Sequence, residues 1–443
     1  MKWITGRSAP LLTDLYELTM ADAYLRDGMD GEATFELWVR DLAPERNFLV
    51  AAGIEEAIDH LGSLRFHADA IAYLASLDRF SQEFLAYLGD LRFTGDVWAV
   101  QEGTIAYGKE PLMRVTAPII QAQILETFLL NAVGVQTLIA SKAARVAIAA
   151  GDRQFVDFGA RRSHGADAAL KGARAAYIAG ATATSLVAAG FHYGIPVTGT
   201  MAHSYILAHG DERRAFEAFA RAFPNDAVML IDTFDTVEGA RIVAELAPIL
   251  RADGIEVSAV RLDSGDLSAL SKEVRKVLDD AGLESIRILA SGGLDEHRVA
   301  ALLADDAPID GFGVGTSMMT SSDAPSLDII YKLVEDPNGP VMKKSTGKAN
   351  LPGIKQVFRS NDGDVIALAD EEPSGLPLLA PAMSGGERSR PIPPLDEIRE
   401  ATTDSIAALP ESIRRLDGPA DPPWRVEISE GLQSLVDRLS AKH

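Results

Sequence analysis

Six short polar stretches carry most of the chemistry this chain can offer. Gly159-Ala160-Arg161-Arg162-Ser163-His164-Gly165 sets two arginines between glycines. A guanidinium grips carboxylate or phosphate through paired hydrogen bonds, although the same spacing suits a solvated turn. Val260-Arg261-Leu262-Asp263 alternates, so in a strand Arg261 and Asp263 share one face and the apolar pair the other. A cation beside a carboxylate suits an anionic substrate with Mg²⁺ held by Asp263; the competing reading is a salt bridge closing an interior. Ser291-Gly292-Gly293 and Gly313-Val314-Gly315-Thr316 let backbone N–H groups approach a phosphate, or simply make tight turns. Gly199-Thr200-Met201-Ala202-His203-Ser204 places His203 beside two hydroxyls. A lone histidine is usually structural, but beside Thr200 and Ser204 the structural and functional readings of His203 balance, and His164 in the arginine loop has the same standing. Asp232-Thr233-Phe234-Asp235-Thr236 completes the set.

What positions these clusters is a repeat. Apolar runs at Phe155–Phe158, Pro196–Gly199, Val228–Ile231, Val257–Leu262, Ile286–Ala290 and Gly311–Val314 begin roughly 25–40 residues apart, the length of a strand plus a crossover helix. Each run ends in one of the clusters. The pattern predicts a parallel sheet with helices outside it, an irregular α/β barrel whose strand C-termini carry the site.

Before the repeat, Ala33–Val39 alternates strictly and reads as a half-buried antiparallel strand. Ile54–Leu88 reads as helical, Val97–Val100 and Leu112–Val115 as strands. Residues 1–118 are thus expected to form a small α+β sandwich, 119–325 the barrel, and 326–443 a C-terminal region packing on both. Ile119–Ala150 is expected as a long helix broken near Gly134, Ile329–Val334 as strand or short helix, Pro373–Pro394 as loop, and the tail from Leu395 as two helical segments. Leu11–Met29 reads as a helix capped by Thr13 or Asp14, with Leu15, Leu18 and Ala23 inward. Tyr16, one position off that stripe, reads from spacing alone as an ordinary amphipathic side chain.

The 443 residues include no cysteine, which excludes thiol nucleophiles, thiolate metal sites and disulfides. No His-Glu-x-x-His pair suggests zinc. The formal net charge of -22 repels nucleic acid and anionic lipid, so neither is expected as a partner, and anionic ligands need a local arginine cluster to capture them. Ile119–Ala140 is too polar for a membrane span, and Met1–Pro10 lacks the apolar stretch of a signal peptide. The expectation is a cytoplasmic enzyme.

In order along the chain, Leu11–Met20, Phe158–Gly165, Gly199–Tyr205, Ile231–Thr236, Arg261–Leu267, Ala290–Glu296, Gly313–Thr316 and Gly347–Arg359 resemble nicotinate phosphoribosyltransferases. The resemblance implies the type II phosphoribosyltransferase architecture: a sandwich domain on an α/β barrel, in a homodimer whose site is shared between subunits. It implies that nicotinate and phosphoribosyl pyrophosphate are joined, with ATP as co-substrate hydrolysed through a phosphohistidine at His203. On the same resemblance Tyr16 and Thr200 contact nicotinate, Arg261 pairs with its carboxylate or a nearby anion, and Thr316 with the adjacent glycines holds the donor's phosphate. Arg161, Ser204, Gly292, Gly293 and Gly315 complete the expected binding residues. Phe234 and Gly293 depart from the tyrosine and the acidic or polar residue common in similar sequences. A nicotinamide-specific relative, a quinolinate phosphoribosyltransferase and a non-catalytic nicotinate-binding protein are the alternatives. Intact Arg261, Asp263 and His203 speak against the last.

Overall fold

The structure is a computed structural model describing residues 7–343 and 350–441. Lys344, and Gly347 to Ala349 at the head of the last family-like stretch, lie outside the described residues. The chain divides into two compact units, Lys142–Pro325 and a unit built from Met1–Ser141 with Ser326–His443. These boundaries differ from the three segments expected: the long helix is divided within itself, and the C-terminal region belongs to the same unit as the N-terminal one.

The unit Lys142–Pro325 holds a six-stranded parallel sheet. Its strands are β1 (Gln154–Asp157), β2 (Ala183–Thr184), β3 (Ala227–Leu230), β4 (Val257–Leu262), β5 (Arg287–Ala290) and β6 (Gly311–Val314). Their spatial order is β2-β1-β6-β5-β4-β3. All neighbours run parallel, with Val156 opposite Gly313, Leu289 opposite Gly311, and Ile288 opposite Val260. β3 and β6 are buried at every residue, as a parallel sheet covered on both faces requires. The sheet forms a half-barrel with β2 and β3 at its two edges. Five expected strands are present. The sixth is displaced: Pro196–Gly199 contributes only a bridge from Val197 to Thr184, and the paired strand is Ala183–Thr184. A proline and a glycine in four residues leave little for a ladder, whereas Thr184 is drawn to the edge of β1.

Helices follow the strands, and aspartates start those after β3, β4 and β5. The side chains of Asp235, Asp266 and Asp295 accept hydrogen bonds from the backbone N–H of Glu238, Ala269 and Arg298, satisfying donors that a helix start leaves open. Val243, Leu246 and Leu250 of Thr236–Ala252, and Val274 and Leu278 of Leu267–Asp280, are buried.

The other unit contains a seven-stranded sheet in which Glu32–Val39 lies between Ile329–Asp336 and Pro111–Pro118, antiparallel to both. The alternation of Ala33–Val39 suggested one wet face, yet every residue from Ala33 to Val39 is buried. Glu36 is accommodated because Lys355 Nζ lies 2.8 Å from its carboxylate. Lys355, inside the family-like stretch, is therefore a core cation of the sheet. The region read as one helix holds three, Ile54–Ser63, Ala68–Ser76 and Gln82–Asp90. The long helix breaks at Ile124 and Leu125, between Ile119–Gln123 and Glu126–Ala150; Gly134 continues it. Pro373–Pro394 is not only loop, since Leu376–Pro377, Ala380–Ser384 and Glu387–Arg388 are strands, and the tail has three helices instead of two.

Candidate active site

Three strands end in the same way: an apolar run and then aspartate, at Asp157, Asp232 and Asp263. These first aspartates tie the loops, while the later ones cap helices. Buried Asp157 accepts hydrogen bonds from Gly159 N at 2.7 Å and from the Thr184 hydroxyl at 2.7 Å. It thereby clamps the arginine loop to β2, and burial raises its carboxyl above the usual range. Asp232 accepts from Asp263 N at 3.0 Å and the Ser264 hydroxyl at 2.6 Å, and its other oxygen lies 3.1 Å from His203 Nε2. Asp263 accepts from the Ser291 hydroxyl.

Arg261 lies over the Phe158 ring, its guanidinium carbon 5.9 Å from the centroid, within cation–π range. One Nη donates to Met201 O at 2.9 Å, while the buried Nε has no hydrogen-bond partner. Burial lowers the Arg261 pKa, and the charge of Arg161 adds to the effect against the pull of Asp263 and Asp232. The salt-bridge reading is thereby narrowed: the carboxylate of Asp263 is bonded to Ser291, and Arg261 carries an unpaired N–H. Phe158, Thr200 and Arg261 line one end of a cavity of about 380 Å³, whose other end reaches Gln154, Asp226 and Arg287 at the strand starts. The Phe158 ring packs so close to Gly313 that any Cβ there would collide with it.

The two glycine loops stand side by side beyond β5 and β6. Gly292 has φ +90, and a Cβ on it would run into the carbonyl oxygen of Asp263, so only glycine fits. Gly293 O accepts from Arg298 at 2.8 Å. Gly315 precedes the short helix Thr316–Met319, and the Ser317 hydroxyl donates to Leu294 O at 2.7 Å, joining one loop to the other.

The unit Lys142–Pro325 thus brings together Arg161, Thr200, His203, Arg261, Asp263, Gly292, Gly293, Gly315 and Thr316 on the strand C-terminal side. Ser204 and Thr316 are exposed, His203 opens the helix His203–His209, and His164 is exposed on the arginine loop. Tyr16 belongs to the other unit. It is 46 % exposed in the first turn of Leu15–Arg26, and burial followed by the charge of Glu126 raises its phenol pKa. That helix buries Glu17, Leu18, Ala21 and Asp22; Leu15 and Ala23, expected inward, are exposed. Asp14 is its N-cap residue, but its side chain accepts from the Thr127 hydroxyl rather than from a backbone N–H of its own helix.

Phe158 and Asp157 join the site only in the structure, and Asp232, already within a polar stretch, there gains its partners. The repeated aspartate directly after an apolar run would have found both carboxylates. No comparable signal marks Phe158. Mg²⁺ requires hard oxygen ligands and commonly takes one or two carboxylates, with phosphate and water completing its shell. Among the described residues no group of three or more His, Cys, Asp or Glu could hold a metal by itself. Asp263, at the mouth and beside a loop suited to phosphate, fits as a single protein ligand of a phosphate-bound ion.

Three family models match the chain. Residues 11–134 match the nicotinate phosphoribosyltransferase N-terminal domain, 139–332 the quinolinate phosphoribosyl transferase C-terminal domain, and 374–436 the nicotinate phosphoribosyltransferase C-terminal domain. Nicotinate phosphoribosyltransferase pncB2 of Mycobacterium tuberculosis is 50 % identical over 413 residues, covering 92 % of this chain and 89 % of its own. The Bacillus subtilis nicotinate phosphoribosyltransferase is 41 % identical over 379 residues, 82 % of this chain and 77 % of its own. Among solved structures, human nicotinic acid phosphoribosyltransferase superimposes with a TM-score of 0.84 at 30 % identity, covering 97 % of this chain and 100 % of that one. A nicotinate-nucleotide pyrophosphorylase from Pyrococcus furiosus gives 0.77 at 26 % identity, over 92 % and 98 %.

Proposed function

The chain belongs to the nicotinate phosphoribosyltransferase family, and from that premise we propose that it joins nicotinate to 5-phosphoribosyl 1-pyrophosphate, giving nicotinate mononucleotide and pyrophosphate for NAD salvage, with ATP hydrolysis coupled through His203. The observation that carries this reading is Arg261. It is a partly buried cation over an aromatic ring that carries a buried, unpaired N–H and lines a cavity of small-ligand size. A pyridine carboxylate fits it, with its ring beside Phe158 and Thr200 and its carboxylate on the guanidinium. A neutral amide would instead call for a carboxylate beside the ring. Asp157 is the carboxylate at that end of β1, and Gly159 and Thr184 occupy both its oxygens.

The ring nitrogen carries no proton, so its attack on the ribosyl carbon needs no general base. A C–N bond forms, the bond from that carbon to the pyrophosphate oxygen breaks, and the leaving group carries the electron pair away. The residues' task is to align the reactants and accommodate charge. Arg161 suits the pyrophosphate, and the N–H groups of Gly292, Gly293, Gly315 and Thr316, with the Thr316 hydroxyl, suit the donor's phosphates. Mg²⁺ held by Asp263 would neutralise pyrophosphate charge when bound.

His203 is read as the phosphorylated residue. With its Nε2 proton directed to Asp232, the Nδ1 lone pair is free to attack. Nδ1 forms a bond to the γ-phosphorus of ATP, the bond to the ADP oxygen breaks, and the Asp232 carboxylate stabilises the cationic ring. Water later cleaves the N–P bond and resets the site. A homodimer with Tyr16 acting in trans is part of this reading. It is supported by Tyr16 itself being exposed in one unit, and by Phe191, 84 % exposed, and Phe234, 64 % exposed, in the other. A cytoplasmic setting accords with a cysteine-free chain whose apolar helix Glu126–Ala150 is 72 % buried within the protein over its most apolar window.

Pyrophosphate release decides the matter. Turnover with nicotinate, stimulated by ATP and at least tenfold above that with nicotinamide, is the expected outcome. Equal turnover of the two would reassign the substrate, and ligand binding without pyrophosphate release would leave a binding protein.

A further inference from the structure

A buried charge network underlies the two glycine loops. The helix Glu126–Ala150 points Lys142 and Arg145 inward, their side chains 1 % and 4 % exposed. Lys142 Nζ lies 2.7 Å from Glu296 Oε1, 2.5 Å from Glu296 Oε2 and 2.7 Å from Asp323 Oδ1. Arg145 Nε donates to Glu296 Oε1 at 2.8 Å. Glu296 opens the helix directly after the Ser291–Asp295 loop, and Asp323 follows the Thr316–Met319 helix. One ammonium therefore bonds the base of each loop. We propose that Lys142 is a positioning residue for the phosphoribosyl donor, fixing the separation of the Gly292–Gly293 loop from the Gly315–Thr316 loop. This rests on reading those loops as the donor's phosphate site.

Chemistry explains the choice of lysine. Lys142 and Arg145 face the carboxylate of Glu296, and Lys142 also faces that of Asp323. An ammonium offers three donors that rotate to suit acceptors in different directions, and here it donates to Glu296 Oε1 at one loop base while lying 2.7 Å from Asp323 Oδ1 at the other. Burial opposes ionisation of Glu296, yet the charge and hydrogen bond of Lys142, aided by Arg145, hold its carboxyl below the usual range. Without Lys142 the carboxylates of Glu296 and Asp323 would lose the cation that lies between them, and like charges in a water-poor site push apart. Buried ion pairs are weak contributors to stability, and apolar replacements of similar volume are often tolerated. The effect should therefore appear in donor recognition. Atoms on each loop that bind the same phosphoribosyl group must keep their spacing to within about half an ångström.

The test compares Lys142→Met and Asp323→Asn with the wild type, using Thr316→Val as a control on the loop itself. Both network variants should raise the KM for phosphoribosyl pyrophosphate about tenfold, with kcat and the KM for nicotinate changed less than about threefold. Asp323→Asn, which leaves the Lys142–Glu296 pair in place, decides alone if Lys142→Met does not fold. Donor and nicotinate KM values moving together, or a donor KM unchanged in the folded variants, would overturn the proposal. A donor KM raised by Thr316→Val but by neither network variant removes only the role of Lys142. A donor KM unmoved by Thr316→Val removes the phosphate reading and the proposal with it.

Discussion

Arg261 has one N–H group committed to Met201 O and another, buried, with no partner. A ligand carboxylate would complete it, and losing a charge-assisted contact of this kind costs about 2–4 kcal/mol in transition-state binding. Arg261→Ala should thus lower kcat/KM for nicotinate by roughly 30- to 1000-fold while the protein remains folded by circular dichroism; wild-type kinetics would refute the assignment. His203 and Asp232 make a separable pair. His203→Ala should lose ATPase activity, ATP stimulation and acid-labile label from γ-labelled ATP, yet keep slow synthesis without ATP. Asp232→Asn keeps a hydrogen-bonding group but removes the charge that stabilises a cationic ring, so labelling should slow without vanishing. A His203→Ala protein that still labels would move the role to another residue, His164 first. At this scale the sequence singled out Arg261 and His203 by residue type, and the fold brings both to the strand C-terminal side. It was least legible at Phe158, because an aromatic after a strand is indistinguishable from a core side chain until Arg261 is seen above it.

Strands and loops tell a different story. β4 was readable from its mostly apolar run, and the alternation separated Arg261 from the buried Val260 and Leu262. β2 was not, because a two-residue strand has no periodicity; the neighbouring β1 and the bond from Thr184 to Asp157 make it. Glu32–Val39 misled in the opposite sense. Alternation implies one wet face only when no partner neutralises the polar side, and Lys355, more than 300 residues away in the chain, does so for Glu36. Loop geometry makes its own prediction. At Gly292 the left-handed φ and the contact with Asp263 O act together, so Gly292→Ala must displace either its own loop or the one carrying Asp263. The expected result is a loss of at least tenfold in kcat/KM for the donor, with the melting temperature lowered by a few degrees, as for a strain of about 1–2 kcal/mol in a large protein. A variant indistinguishable in both measurements would show that the loop yields freely.

Stability is where the whole molecule responds to pH. In the unit formed by the chain's two ends, burial above all, and then Asp364, raises the Glu110 carboxyl well above the usual range, against the opposing charge of Arg359. Its folded pKa thus exceeds the unfolded one. The contribution of protonated Glu110 is fully present below the unfolded value, about 4.3, and is lost as pH rises through the folded value. Glu110→Gln fixes the neutral form, so its melting temperature should fall less than that of the wild type across this window; parallel slopes would exclude the effect. Association is tested by mixing. If Tyr16 completes a site on another subunit, inactive Tyr16→Ala and inactive His203→Ala chains should regain activity in hybrids. No recovery in hybrids shown to form would confine each site to one chain.

Asp157 reaches across to Thr184, Asp232 to the backbone of Asp263, Asp263 to Ser291, and Ser317 to Leu294. The rim is thus laced sideways, each loop fastened to the next. A homologue's loop grafted singly into this protein would bring half of its fastenings and leave the other half behind on the parent scaffold. New substrate preferences are therefore more accessible to libraries that exchange adjoining loops as pairs than to those that shuffle them one at a time.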